Sequence, residues 1–441
     1  MAMLTRRNFL KSSSLSGAAL VCGISHAAPA NSKLNVAAVG VGGKGWSDLN
    51  SVSASPYVNI VALCDIDEGP NNLGRAAEKF PRAKRYVDWR KMMEQSDIDA
   101  VIVATPDHMH APISLAAMAL DKHVYCEKPL AHSVAEARAM KEAAAKMGVV
   151  TQMGNQIQSH EFYRTAVRLL QDGAVGKIRE VYSWQSGGTS WNLWDDRVPG
   201  SDPVPPKVHW DLWLGVAPER PYVSKCYHSY NWRNWQDFGT GKLGDFACHI
   251  LDPVFTALEL TAPTSLVAEN PVLNKEVWPK TNIVKYIFPG TQYTADPTIN
   301  VTWYSGVDHR PTREQLTLPE GVKIPKAGSV FIGEKGHLIL PHVGAPMLSP
   351  QEAFEEYPVA EVEGRDHYTA WADACRGEAE TSSSFSYSGP LTEAVLLGIV
   401  ASRLPTQSLD WDSSKMKITN APEANQFLRK DYRAGWTVPG V

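Results

Sequence analysis

The 441-residue chain carries a formal net charge of −4, with 20% charged and 44% hydrophobic residues. That balance belongs to a globular protein long enough for two domains, each burying its own core. Mild acidity gives no electrostatic basis for binding nucleic acid, and no apolar run approaches the roughly 18–20 residues of a membrane span.

The first 30 residues contain Arg6, Arg7 and Lys11 and no acid. Thr5-Arg6-Arg7-Asn8-Phe9-Leu10-Lys11 resembles the bacterial twin-arginine signal. A weakly apolar stretch (15–24) and small residues around Ala27-Ala28-Pro29-Ala30 follow it, and these suit a cleavage site. The pattern predicts a signal over 1–30, handling by the twin-arginine export machinery and a periplasmic mature protein. Cys64, Cys126, Cys226, Cys248 and Cys375 then remain, scattered and without a C-x-x-C. Buried thiols are expected, with no disulfide framework and no metal site.

A nucleotide-binding domain is predicted over 33–153. The apolar run ending at Val39 reads as a buried strand, closed by Gly40-Val41-Gly42-Gly43-Lys44-Gly45 in G-x-G-x-x-G spacing. Gly40 permits the tight turn, Gly42 close approach to a pyrophosphate, and Gly45 helix–strand packing. Amides opening the next helix would face the phosphates. A second strand (59–67) carries Asp65, twenty residues beyond Gly45. A carboxylate there accepts from ribose hydroxyls and repels a 2′-phosphate, so NAD is favoured over NADP. Helix near 70–80, strand 99–105, helix 111–120, strand 123–127, helix 133–147 and strand 149–153 continue the alternation. Repeated strand–helix units give an α/β fold, a doubly wound parallel Rossmann sheet.

Thr105-Pro106-Asp107-His108-Met109-His110 and Cys126-Glu127-Lys128-Pro129-Leu130 closely resemble the glucose–fructose oxidoreductase/inositol dehydrogenase/MocA family. The similarity extends from about residue 33 to the end of the chain and includes 209–215 and 367–378. It implies a C-terminal α+β domain (154–441) with an open, mostly antiparallel sheet, through which family members often pair as homo-oligomers. It places Lys128 beside the nicotinamide and the reacting hydroxyl, where an amine can polarise an alcohol or relay its proton. Thr105, Pro106, His108, His110 and Glu127 would line the cofactor pocket.

Beyond 154 the chain predicts a helix, a turn at Gly173 and Gly176, and a strand over Ile178–Gln185. Residues 186–240 form a Pro/Trp/Gly-rich insertion, read as an ordered irregular loop packed over the cleft. Seven of the fourteen tryptophans fall between 184 and 235. They are either the loop's own small core or faces for stacking on sugar rings. Trp232, Arg233 and Gln156 are the candidate substrate contacts. Asp245, His249 and Asp252 follow at about 0°, 40° and −20° around one helix. The family commonly has an Asp-x-x-x-His pair here. The resemblance makes His249 the general acid/base and Asp245 its partner or a substrate ligand, while Asp252 would anchor the helix. Strand-like segments near 283–289, 299–304 and 329–340, with helices near 366–376 and 390–403, complete the domain.

The combined reading is an exported NAD-dependent oxidoreductase acting on a hydroxyl of a sugar, glycoside or polyol. Because free NAD is scarce outside the cytosol, the cofactor would stay bound and be recycled by a second substrate. The alternative is a redox-neutral, NAD-dependent glycoside hydrolase that oxidises, eliminates and reduces.

Overall fold

A computed structural model describes residues 33–359 and 361–437. The stretch read as an export signal lies outside the described residues. Strands β1 (Leu34–Val39), β2 (Val58–Cys64), β3 (Lys84–Tyr86), β4 (Ala100–Val103), β5 (His123–Glu127) and β6 (Thr151–Gly154) form one sheet in the order β3-β2-β1-β4-β5-β6. All its pairings are parallel. Helices α1 (Gly43–Ser53), α2 (Leu73–Lys79), α3 (Trp89–Met92), α4 (His110–Ala119) and α5 (Val134–Met147) make the crossovers. Alternate β1 residues face different clusters, Ala37 and Val39 one, Val36 and Ala38 the other. The sheet is therefore buried on both faces, which is why its central strands β1 and β4 read as near-continuous apolar runs. Sequence signals bound α5 sharply: Ser133 and Glu136 form a capping box, and Gly148 ends the helix in the left-handed region.

The C-terminal part contains α6 (Glu161–Gln171), β7 (Ile178–Gln185), α7 (Trp210–Leu214), α8 (Gly241–Ile250) and α9 (Asp252–Leu258). Then follow β8 (Ser265–Glu269), β9 (Asn282–Pro289), β10 (Thr298–Ser305), β11 (Ala327–Gly333), β12 (His337–Pro341) and β13 (Met347–Ser349). Helices α10 (His367–Cys375) and α11 (Phe385–Ser402) and strands β14 (Leu409–Asp412) and β15 (Lys417–Ile418) close the chain. The strands form a sheet ordered β13-β12-β11-β7-β10-β9-β8-β14-β15. Only β7–β10 is parallel among its described pairings, giving the open, mostly antiparallel sheet expected.

Several expectations change in detail. The 329–340 segment is a hairpin, β11 and β12, turning at Glu334–Gly336. Helix α11 begins five residues before Pro390 and carries that proline inside it. The helix survives there because Phe385, Ser388 and Gly389 bury its first turns. The short strands β3, β8 and β13–β15 were not among the expected elements. The two domains also do not keep separate cores. One apolar cluster runs from Val124 and Met140 through Val395 on α11 to Tyr286, Trp303 and Phe331 on the second sheet. The guanidinium of Arg138 on α5 reinforces the junction with two hydrogen bonds to Glu393 of α11, 2.7 and 3.0 Å. The domains therefore form a rigid frame around whatever lies between them.

Candidate active site

Strand order reverses between β1 and β4, and the crevice outside the carboxyl ends of such strands is where ligands bind in open α/β sheets. A cleft of about 510 Å³ opens there. Gly40, Gly42, Gly43, Lys44, Asp65, Thr105, Pro106, His110, Glu127, Lys128, Trp232, Arg233, Asp245 and His249 all line it. Gly40 has φ +78°, and a Cβ on it would meet the Ala104 carbonyl oxygen at 2.6 Å. A Cβ on Gly45 would lie 1.8 Å from the Gly40 carbonyl oxygen. Neither backbone obstacle can swing aside, so glycine is required at both. Gly42 is tight only against the Asn72 side chain, at 1.8 Å.

The Asp65 carboxylate accepts from the amides of Val41 (2.8 Å) and Asp67 (3.0 Å), which fixes it beside the glycine turn. Burial pushes its pKa up, while those two amides oppose the shift. The residue lines the cleft. A bare turn, a carboxylate at the end of β2 and the unpartnered Thr105 hydroxyl fit the diphosphate and ribose of a dinucleotide. Val41 does not line the cleft. Its side chain is fully buried and its amide is already engaged by Asp65, so its contribution is to hold that carboxylate.

Across the cleft, the Lys128 ammonium donates to the backbone oxygen (2.6 Å) and Oδ1 (2.9 Å) of Asp245. Arg233 donates to the same Oδ1 at 3.0 Å. Burial would raise the pKa of Asp245, but the two cations hold it well below the usual carboxylate range. An ammonium has three donors, so one N–H of Lys128 is left for a ligand. His249 also lines the cleft but makes no hydrogen bond to Asp245, so their expected partnership is corrected. Both sit on the cleft side of α8, yet the carboxylate turns to the stronger partners, two full cations. His249 Nδ1 is buried with no partner. Burial first, then the nearby Lys128 charge and His342, push its pKa well below the ordinary histidine value. The result is an imidazole that is neutral in the resting site, with one ring nitrogen unpartnered.

Other expected residues separate into liners and supports. Arg233 is enclosed by aromatic faces, 4.3 Å from the Trp232 ring and 4.4 Å from that of Tyr230. Lys44 lines the cleft but is held by ion pairs to Glu127, at 2.9 Å, and to Asp48. Burial opposes its charge, and those acids more than restore it. His110 sits between the Pro129 and Thr105 carbonyl oxygens, 2.7 and 2.8 Å away. Burial disfavours its charge, but Cys126, Asp107 and the Pro129 oxygen carry its pKa up to about 10. It thereby ties the β4 turn to the Lys128–Pro129 turn.

Two expectations are overturned. His108 does not line the cofactor pocket. It is fully buried, with its ring nitrogens 3.3 and 3.1 Å from the Phe238 and Trp213 carbonyl oxygens, and burial lowers its pKa to about 3. Gln156 is not among the cleft-lining residues either. Its turn faces α9, where Asn155 and Gln158 donate to Asp252. Most insertion tryptophans form a small core of their own. Trp213, Trp232 and Trp235 pack with Tyr227 and Phe238, and only Trp213 and Trp232 also reach the cleft.

Sequence reasoning missed Asp107, although it lies inside the quoted motif. Its carboxylate receives the Thr240 amide (3.0 Å) and hydroxyl (2.6 Å), which fixes the start of α8. Also missed were Asp67 and His228, 2.9 Å apart, because only the fold joins positions 161 residues distant. No group of three or more His, Cys, Asp or Glu arranged to hold a metal occurs among the described residues. No helix among them is long and apolar enough to cross a membrane.

Asp252 anchors α9 to the β6 turn. Its Oδ1 receives Asn155, Gln158 and Tyr387 at 3.0, 3.1 and 2.8 Å, and burial pushes its pKa up to about 7. An ordinary unfolded aspartate titrates near about 3.9. Between those values the folded state holds the extra proton, so this residue's contribution to stability falls as pH rises from about 4 to about 7 and then levels. Asp252→Asn keeps the accepting oxygen and removes the titration. Its melting temperature is expected to lose that slope and to match or exceed the parent's above pH 7, as read by calorimetry across pH.

Residues 34–155 match the model of an oxidoreductase family described as an NAD-binding Rossmann fold, and residues 163–288 match that family's C-terminal alpha/beta domain. Inositol 2-dehydrogenase of Salmonella typhimurium is 31% identical over 308 residues, covering 66% of this chain and 77% of the relative. Levoglucosan dehydrogenase of Pseudarthrobacter phenanthrenivorans is 28% identical over 199 residues, 45% of this chain and 42% of its own length. A glycosyl hydrolase family 109 protein of Stenotrophomonas maltophilia is 26% identical over 213 residues, with 45% and 46% covered. The chain thus spans less than half the length of these last two relatives. Among solved structures, the WlbA dehydrogenase of Bordetella pertussis, in complex with NADH and UDP-GlcNAcA, shares the fold. Its TM-score is 0.60 at 16% identity, covering 86% of this chain and 99% of that one.

Proposed function

The chain belongs to the Gfo/Idh/MocA oxidoreductase family, and from that premise we propose an exported enzyme that oxidises a hydroxyl of a sugar, glycoside or polyol. As a family member it is an NAD-binding oxidoreductase, and relatives named for inositol and levoglucosan support a carbohydrate hydroxyl as its substrate class. The observation that carries the reading is the placement of the Lys128 ammonium and the unpartnered His249 imidazole in one cleft with the glycine turn.

When bound, the dinucleotide supplies the two-electron acceptor. Lys128 directs its free N–H at the substrate oxygen and stabilises the negative charge that develops there. His249 takes the hydroxyl proton, for which a neutral imidazole suits near neutral pH. Asp245 holds Lys128 in place, and Arg233 on its aromatic platform presents donors to neighbouring hydroxyls. In the reverse half-reaction the same imidazole returns the proton to a second carbonyl substrate. The carbon of that second substrate would take back the hydride, so an exported enzyme would need no outside supply of cofactor. The twin-arginine pattern supports export to the periplasm, and the open sheet offers a face for a homo-oligomer.

The family 109 relative favours a second reading, redox-neutral glycoside hydrolysis by transient oxidation. The test uses purified protein never exposed to added NAD. It is mixed with a panel of sugars and polyols while the near-ultraviolet absorbance of reduced nicotinamide is followed. A rise with one sugar, reversed by a second carbonyl compound, is the expected outcome. Release of nitrophenol from p-nitrophenyl glycosides with no lasting rise would select the hydrolase. If denatured protein yields no nicotinamide nucleotide, retention is wrong.

A further inference from the structure

Besides the catalytic groups, the insertion touches the nucleotide domain at the far end of the cleft. Segment 207–209 pairs with 66–68 as an added antiparallel bridge at Asp67 and Val208. The Glu68 amide donates to the Lys207 oxygen, and the His209 amide to the Ile66 oxygen, both at 2.9 Å. Farther along the insertion, His228 Nε2 lies 2.9 Å from Asp67 Oδ2. That pair is sheltered, with side chains 14% and 15% exposed, whereas the His209–Glu68 pair is 38% and 49% exposed. A surface pair contributes little and a sheltered one more, so His228–Asp67 is the stronger tie.

This contact covers a particular half of the cleft. Asp65 marks the ribose end, and beyond it Val87 and Trp89 of the nucleotide domain line the cleft together with Leu212 and Trp213 of the insertion. An apolar slot next to a ribose-binding carboxylate suits a flat base. The outer side of the insertion is held as well. Arg433, near the chain's end, donates to Asp211 Oδ1 at 2.6 Å, and Trp436 stacks on Arg90 at 4.3 Å.

We propose that residues 207–228 are a strap closed over the adenosine half of the dinucleotide, with the His228–Asp67 pair as its latch, so that opening the strap sets the rate at which the dinucleotide leaves. The inference rests on the oxidoreductase reading and gives retention of the cofactor a physical cause. With the two domains held by a shared core, a nucleotide whose base lies under the strap escapes only when the strap moves aside. Catalytic groups at the other end need not move for substrates to exchange.

The probe is NADH bound to the full chain, its release followed by fluorescence after mixing with excess NAD. His228→Ala removes the latch and is expected to speed release roughly tenfold or more, the effect of losing one sheltered charge-assisted hydrogen bond. His228→Gln, which keeps a donor, should recover part of the loss. A locked strap supplies the opposite arm. Glu68→Cys with Lys207→Cys places thiols on facing residues of the added bridge, and oxidised protein should release NADH at least about tenfold more slowly than the same protein reduced. Equal release rates in parent, His228→Ala and both redox forms overturn the strap. Failure of the parent to bind NADH at all would instead remove the oxidoreductase reading, and the strap with it.

Discussion

Lys128→Met is expected to lower kcat by about 10²–10⁴-fold, the span for loss of one group that moves or polarises a proton in the transition state. NADH binding, read by fluorescence, should change little. Methionine matches the length of the lysine stem but offers no donor. Asp245 keeps Arg233 at 3.0 Å, so the substitution does not leave a buried carboxylate unpaired. That distinguishes it from Asp245→Ala, which strands two cations and whose lost activity would not separate chemistry from folding. A Lys128→Met protein with parental kcat would remove the ammonium from the reaction.

His249→Gln should cost a similar factor, about 10²–10⁴ in kcat, with substrate and dinucleotide affinity largely kept. The pH profile adds a sharper outcome. Burial, Lys128 and His342 hold the His249 pKa below the ordinary value near about 6.5. The base form therefore persists as pH falls through that value, and the parent's rate is expected to stay level there. Lys128→Met removes one of the charges that depress the imidazole, so its residual activity should decline at a higher pH than the parent's. A parent profile that bends near about 6.5, unmoved by Lys128→Met, would show that His249 is not the titrating group.

His342 stands behind this behaviour. Its ring centroid is 5.9 Å from that of His249, its Nδ1 lies 2.8 Å from the Tyr163 hydroxyl, and burial with the Lys128 charge lowers its pKa to about 4. Burial and the neighbouring ammonium leave both imidazoles neutral in the resting site, with His249 free to take a proton only as the hydroxyl gives one up. The local charge is kept on Lys128, Arg233 and Asp245 instead.

What the chain determined by itself is whatever depends on short spacings. The glycine turn, the carboxylate at the end of β2 and the alternating strands and helices were legible because backbone sterics and burial on two faces act over a few residues. The four-residue step from Asp245 to His249 correctly put both on the cleft side of α8. It said nothing about their partners, since two cations from distant segments compete for the same carboxylate and win on charge. His108 and Gln156 were misread for the converse reason. The neighbours of His108 line the cleft, but packing turned its ring toward Phe238 and Trp213, and the turn that carries Gln156 faces Asp252 instead. The insertion shows the limit most clearly. Its prolines and tryptophans announced an ordered loop, whereas its seat against Asp67 and Glu68 is a contact across more than a hundred residues, fixed only once the shared core holds both domains in place.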